Sequence, residues 1–333
     1  MPLNPVDILL NASELPPITE WDSALANKPP APDPIIDGLL HRTAKMTLAS
    51  GSKSFKTWSL MHLAIAVSTG QQWWGLTTRA APVLYINFEL QDYFAIDRMQ
   101  TIATKLGLDS LPDLKVWNLR GFAGDFTHLA PKLDAAMAQH NIGMAIFDPI
   151  YKLYGSRDEN SATDVAELLN MLEKLGKDHN CAIVLAHHHR KGTIGDNKAH
   201  DQMSGSGVYA RDGDCLCNVL RLQEEDGFVV TTDLRNCPPL ENFGIRWDFP
   251  VFVPDTTLNI DAIEGKKGTT AKVTSHEVSQ LIPNLGLTRL QLREKLESEH
   301  GIKSSTSAYR YIETAIKNKT IAVSTTGDVL LRS

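Results

Sequence analysis

Three apolar runs frame this chain. Val83-Leu84-Tyr85-Ile86-Asn87-Phe88, Ile142-Gly143-Met144-Ala145-Ile146-Phe147 and Cys181-Ala182-Ile183-Val184-Leu185-Ala186 each have the length and hydrophobicity of a strand buried on both faces. Each gives way to a polar group, at Glu89, Asp148 and His187. Between them the period changes to that of helices. Asp92–Leu106 repeats Ile96, Met99 and Ile102, and Phe126–Gln139 and Thr163–Asn180 follow the same rule. Lys45–Ala49 and Leu114–Leu119 read as further core strands, with a helix over Thr57–Thr69. Strand alternating with helix predicts an α/β fold with a mainly parallel, twisted sheet. Asp214–Arg221, Gly227–Leu234 and Ile245–Phe252 read as later strands.

The two ends follow other patterns. Residues 1–34 form a proline-rich arm, with Pro16-Pro17 and the run Pro29–Pro34, and short helices fit only Val6–Asn11 and Trp21–Ala26. The α/β body is expected over 35–261 and a linker over 262–271. Within 272–333, helices fit Ser275–Leu281, Thr288–His300 and Thr306–Asn318, the last capped by Ser304 or Ser305. Ile321–Ser324 and Val329–Arg332 read as a hairpin. This order is that of a small winged helix-turn-helix domain. Its third helix would offer Ser305, Tyr309 and Arg310 to a DNA groove. A protein-docking domain has the same shape.

Composition narrows the class. The chain has 333 residues, 42% hydrophobic and 22% charged, and no apolar run of about 20 residues that could cross a bilayer. No basic segment precedes an apolar stretch at the N-terminus, and the four cysteines show no C-x-x-C spacing. These features predict a soluble, cytoplasmic protein with no membrane partner. Net charge is −6, yet residues 270–333 carry nine Lys and Arg against six acids. That asymmetry predicts a tail whose partner differs from that of the body.

The chemistry centres on Ser50-Gly51-Ser52-Lys53-Ser54-Phe55-Lys56-Thr57, placed between a strand and a helix. That is the layout of a P-loop, whose backbone N–H groups cradle phosphates. Lys56 would meet the β/γ-phosphates of ATP and Thr57 would ligate Mg²⁺. Ser50 and Phe55 occupy the two glycine positions of the motif. Phe55 is expected to resist the backbone conformation that glycine tolerates there. Asp148, ending its strand, suits a Walker-B acid near the metal, and Glu89 suits a group that orients water. Glu89 also fits the first turn of the next helix. His187 and His188 are candidate sensors of phosphate or of a neighbouring DNA loop; adjacent residues on a strand end point alternately and make a poor zinc site. Arg235, and less so Arg211, could reach a γ-phosphate. Lys191–Ser206 is too long for a routine connection.

Taken together, the motifs resemble the RecA-type ATPases, in the plasmid and phage RepA-like branch related to DnaB-type replicative helicases. The resemblance runs over about residues 35–255. It rests on Ile36-Asp37-Gly38-Leu39-Leu40, the P-loop, Tyr85-Ile86-Asn87-Phe88-Glu89, Ile146-Phe147-Asp148-Pro149, Ala186-His187-His188-His189-Arg190 and Ser204-Gly205-Ser206-Gly207. It implies ATP and Mg²⁺ at Lys56, Thr57 and Asp148, and water activation by Glu89. It also implies Arg235 as a finger reaching a neighbour's ATP in a ring, by expectation a hexamer. Lys191–Ser206 would then face single-stranded DNA, with Arg190, Lys191 and Lys198 tracking its phosphates. The activity implied is a DNA helicase or translocase in the replication of a mobile element. Alternatives are a recombination or repair ATPase, or a DNA-binding regulator with a nucleotide switch.

Overall fold

A helix over Trp21–Ala26 (α1) buries none of its residues, and Pro34–Ile36 (β1) pairs with Leu40–His41 (β2). The sheet strands follow: Lys45–Ser50 (β3), Val83–Asn87 (β4), Leu114–Asn118 (β5), Met144–Asp148 (β6), Ala182–His188 (β7), Cys215–Arg221 (β8), Gly227–Leu234 (β9), Phe243–Asp248 (β10) and Val251–Pro254 (β11). Helices Lys56–Thr69 (α2), Asp92–Lys105 (α3), Phe126–His140 (α4), Ala162–Asp178 (α5) and Val208–Asp212 (α6) connect them. The computed structural model describes residues 18–51, 53–122, 126–155, 157–188, 208–263, 275–283, 286–300, 302, 305–317, 320–324 and 329–331. The expected Val6–Asn11 helix, Ser52, Arg190, Lys191, Lys198 and nearly all of the expected linker lie outside them.

The chain divides into two units, Met1–Lys266 and Lys267–Ser333. In the first, nine strands form one sheet in the order β11-β10-β9-β8-β3-β7-β6-β4-β5. From β8 to β5 the pairing is parallel; β9, β10 and β11 continue it antiparallel. Strands β3, β4 and β6 are buried along their whole length, as continuous apolar runs covered on both faces must be.

Two apolar layers flank the sheet. On one face, Leu60, Leu63, Val67, Met99 and Ile102 of α2 and α3 pack on Met46, Val83 and Val184. On the other, Leu133, Met137, Leu168 and Leu172 of α4 and α5 pack on Ile86, Phe147 and Ile183. Helix α5 owes its amphipathic stripe to Val165, Leu168, Leu172 and Leu175, and Ser161 caps it by accepting from the Asp164 N–H. Helix α2 is buried nearly all round, between the sheet and α3.

One predicted element is different. Ile245–Phe252 reads in sequence as a single strand, but the chain turns at Phe249-Pro250 into the antiparallel pair β10 and β11. Proline has no N–H to give to a ladder, so the run cannot continue through it.

The second unit has helices Ser275–Gln280 (α7), Arg289–Glu299 (α8) and Ser305–Lys317 (α9), then a hairpin of Ile321–Val323 (β12) and Val329–Leu331 (β13). Val278, Leu292, Leu296, Ile312, Ala315, Ile321 and Val329 make its core. Thr288 and Gln291 form a capping box that starts α8.

Candidate functional site

Parallel strands deliver their polar ends to a common edge of the sheet, and the site lies there. Beyond β3, the chain turns through Gly51 and Ser54, whose hydroxyl donates to the Gly51 carbonyl at 2.6 Å. It then enters α2. Phe55 is the residue before that helix, and it makes no side-chain cap. Among the described residues no side chain takes the N–H groups of the first turn of α2, the arrangement that binds phosphate at a helix N-terminus.

Phe55 adopts the left-handed conformation after all, at φ 57°. Left-handed backbone costs a non-glycine residue about 1–2 kcal/mol. Its ring offsets that cost by packing. Phe55 stacks on Trp247 of β10, with centroids 4.1 Å apart and planes 4° from parallel. It also meets Phe228 and Phe252 edge-on at 6.3 Å each. Aromatic pairs of this kind contribute about 0.5–1.5 kcal/mol each beyond the area they bury. The aromatic corner thus holds the loop in the form that glycine would take unaided. Ser50, at the other glycine position, is the last residue of β3 and has no positive φ.

A cleft of about 250 Å³ opens over this loop, lined by Gly51, Lys53–Trp58, Glu89, Arg98, Asp148 and His188. Lys56 is 7% exposed, and its Nζ donates to the His187 carbonyl of β7 at 2.6 Å. Burial lowers its pKa to about 8, against the opposing pull of Asp148 and Glu89. Asp148 is buried and accepts from the Tyr85 hydroxyl at 2.6 Å. Burial, and then Asp148 itself, push the Tyr85 phenol well above its ordinary range, so it remains a donor.

Glu89 is exposed at the mouth of the cleft. Asn87 shapes the turn that presents it: its Oδ1 accepts from the Glu89 and Leu90 N–H groups at 3.1 and 2.9 Å. Its Nδ2 donates to the Leu90 carbonyl and to Asn118 Oδ1. His188 lines the cleft and its pKa is lowered, by burial first and then by the Lys56 ammonium. His187 turns the other way, with its ring 4.4 Å from Tyr209.

Thr57 and Asp148 bring a hydroxyl and a carboxylate to one cleft, a donor set of hard oxygens that suits Mg²⁺. Those N–H groups and Lys56 suit the phosphates. Among the described residues no cluster of His, Cys, Asp and Glu offers a separate metal site.

Arg235 is not part of this cleft. It follows β9, which runs antiparallel, and its N–H donates to Asp214, level with Lys45 at the start of β3. That places it at the opposite edge of the sheet, roughly 15–20 Å along the strands. Its guanidinium bonds the Arg211 carbonyl. Among the other predicted residues, Tyr309 is partly exposed on α9, which also contains Ser305 and Arg310.

Tyr85, Asn87, Trp58 and Arg98 border the cleft or its turns without standing out in the sequence as site residues. For the first two a signal existed. They are the polar interruptions of an apolar strand, and alternation puts positions 85 and 87 on one side. Arg98 gave none, being one arginine on a helix.

The strand–loop–helix, the buried lysine and the carboxylate ending a neighbouring strand define a P-loop ATPase core of RecA-like type. The model of the AAA domain family AAA_25 matches residues 11–193, more than half of the chain, and the protein belongs to that family. Among solved structures, a KaiC-like protein from the hyperthermophilic archaeon Pyrococcus horikoshii OT3 is similar over 66% of this chain and 93% of that one. The identity is 11% and the TM-score 0.48. No curated protein matches. Among the described residues, no helix is long and apolar enough to cross a membrane.

Proposed function

We propose that the protein is an ATP-hydrolysing DNA helicase or translocase of the RepA-like, DnaB-related branch, working as a hexameric ring in replication of a mobile element. The observation that carries this reading is the convergence of Lys56, Asp148 and Glu89 in one cleft, beside the strand that leads into 189–207.

In this reading the N–H groups at the start of α2 and the Lys56 ammonium hold the phosphates. Thr57 and Asp148 hold Mg²⁺, which when bound neutralises phosphate charge. Glu89, fixed by Asn87, orients the attacking water. Arg235 serves a neighbour's nucleotide, because its own cleft lies at the far edge of the sheet. The residues Arg190, Lys191 and Lys198 track single-stranded DNA. The helix–helix–helix–hairpin order of the second unit supports a winged-helix role in which Ser305, Tyr309 and Arg310 contact duplex.

The test is ATP turnover with and without single-stranded DNA, for wild type and Lys56→Ala. Turnover stimulated by DNA and lost in the variant supports the motor. Specific duplex binding without turnover overturns it in favour of a DNA-binding regulator.

A further inference from the structure

The phosphate chemistry leaves one wall of the cleft unused. Trp58 follows Thr57 directly on α2 and lines the same cleft. Phe249, in the turn between β10 and β11, packs against it at 5.4 Å and 66°. Trp247 meets Phe249 at 6.2 Å and 78°, and Trp58 at 6.1 Å. The two indoles fix the Phe249 ring from the protein side, yet it remains 61% exposed. The turn is itself anchored, since Lys105 of α3 pairs with Asp248 at 3.1 Å. Arg98 lies over the Trp58 ring at 5.0 Å.

A large apolar ring held in place and left open to water is a poor surface for a protein at rest and a good one for a flat partner. What that partner is follows from continuity with the loop. A nucleotide whose phosphates sit at the start of α2 must lead its sugar and base out along one wall. The wall formed by Glu89, Asp148 and His188 is polar; the wall at Phe55 and Trp58 is aromatic and runs on to Phe249.

We propose that Phe249 and Trp58 form the stacking seat for the base of the nucleotide held by the P-loop. The proposal rests on the nucleotide-binding reading above and adds the recognition of the base. Stacking grows with ring area and needs no matched hydrogen bonds, so the seat favours purines over pyrimidines and by itself treats adenine and guanine alike. Two residues before Phe249, on β10, stands Trp247, on which Phe55 is stacked. Base occupancy therefore bears on the residue that sets the shape of the phosphate loop.

The test is calorimetric titration of the full chain with the magnesium salts of ATP, CTP and inorganic tripolyphosphate. Wild type should bind ATP more tightly than CTP. Phe249→Ala and Phe249→Leu should each lose about tenfold in ATP affinity while tripolyphosphate stays within about twofold, and Phe249→Tyr should restore ATP. ATP affinity unchanged in both the Ala and Leu variants overturns the seat. So does a parallel loss of tripolyphosphate, which marks a general disturbance of the loop. Lys56→Ala distinguishes the two readings: tripolyphosphate binding that survives there overturns the phosphate site itself, whatever Phe249 does.

Discussion

The Lys56 ammonium is bonded to the backbone carbonyl of His187, 131 residues further along the chain. The P-loop lysine is thereby tied to the end of β7. A phosphate entering the cleft competes for the same three N–H donors, so nucleotide binding and the conformation of the β7 end are linked through one side chain.

Titration of Lys56 should be visible in ATP affinity. Its pKa in the free protein is lowered to about 8 by burial. A bound triphosphate favours the ammonium and raises that value, so binding above pH 8 takes up a proton. Affinity should be flat below about pH 8 and fall by up to about tenfold per unit above it. Calorimetry across pH 7–10 measures this, and Lys56→Arg should flatten the profile because guanidinium does not titrate there. Without nucleotide the linkage has the opposite use. The lowered pKa costs stability below pH 8, and the cost fades as pH rises toward 10.5.

Glu89→Gln should abolish turnover while leaving ATP affinity within about threefold, since the amide keeps the size and loses the acceptor charge. Asn87→Ala should act on turnover through position. Its buried side chain makes the bonds that shape the Glu89 turn, and removing it should cost about 1–3 kcal/mol of stability and reduce kcat more than it raises KM. Steady-state kinetics on both variants checks the pair; an Asn87→Ala protein with unchanged kcat would show that the turn does not position Glu89.

Phe55→Gly should not behave as a repair of the motif. Glycine removes about 1–2 kcal/mol of left-handed strain but also removes the ring from the Trp247, Phe228 and Phe252 corner. The expected net effect is a loss of about 1–2 kcal/mol in urea unfolding, with a change in tryptophan emission as Trp247 gains water. A more stable Phe55→Gly protein would mean that strain, not stacking, dominates.

His62 should set part of the acid limit. It is 4% exposed on α2, neither ring nitrogen has a partner among the described residues, and burial lowers its pKa to about 4. Between pH 6.5 and pH 4 the unfolded chain binds a proton that the folded chain does not. Stability should therefore fall by about 3 kcal/mol over that window. His62→Leu should remove most of the slope, as read from urea midpoints at pH 7 and pH 4.5.

The elements that were legible in sequence are those whose cause is local. Continuous apolar runs identified β4, β6 and β7, and the 3.6-residue period identified α5. The polar ends Glu89 and Asp148 were legible too, because a strand that stops on a carboxylate states its own edge. At Phe55 the sequence misleads for a physical reason: backbone strain is written in the residue, while its remedy, the Trp247 ring, is written elsewhere. Trp58, Arg98 and Phe249 were invisible likewise, since what they do depends on neighbours brought together only by the fold. The run Ile245–Phe252 misleads because its apolar pattern continues across Pro250, where the strand ends.

The stack of Phe55 on Trp247 also has a meaning during synthesis. The segment that matches the AAA family ends at residue 193, ahead of β8, which flanks β3, and ahead of the whole aromatic corner. A chain grown only to that point contains Lys56, Thr57, Glu89 and Asp148 but not yet the ring that stacks on Phe55. The support for the loop before α2 is thus the last part of it to be made, since β10 comes after every strand that carries a residue of the cleft.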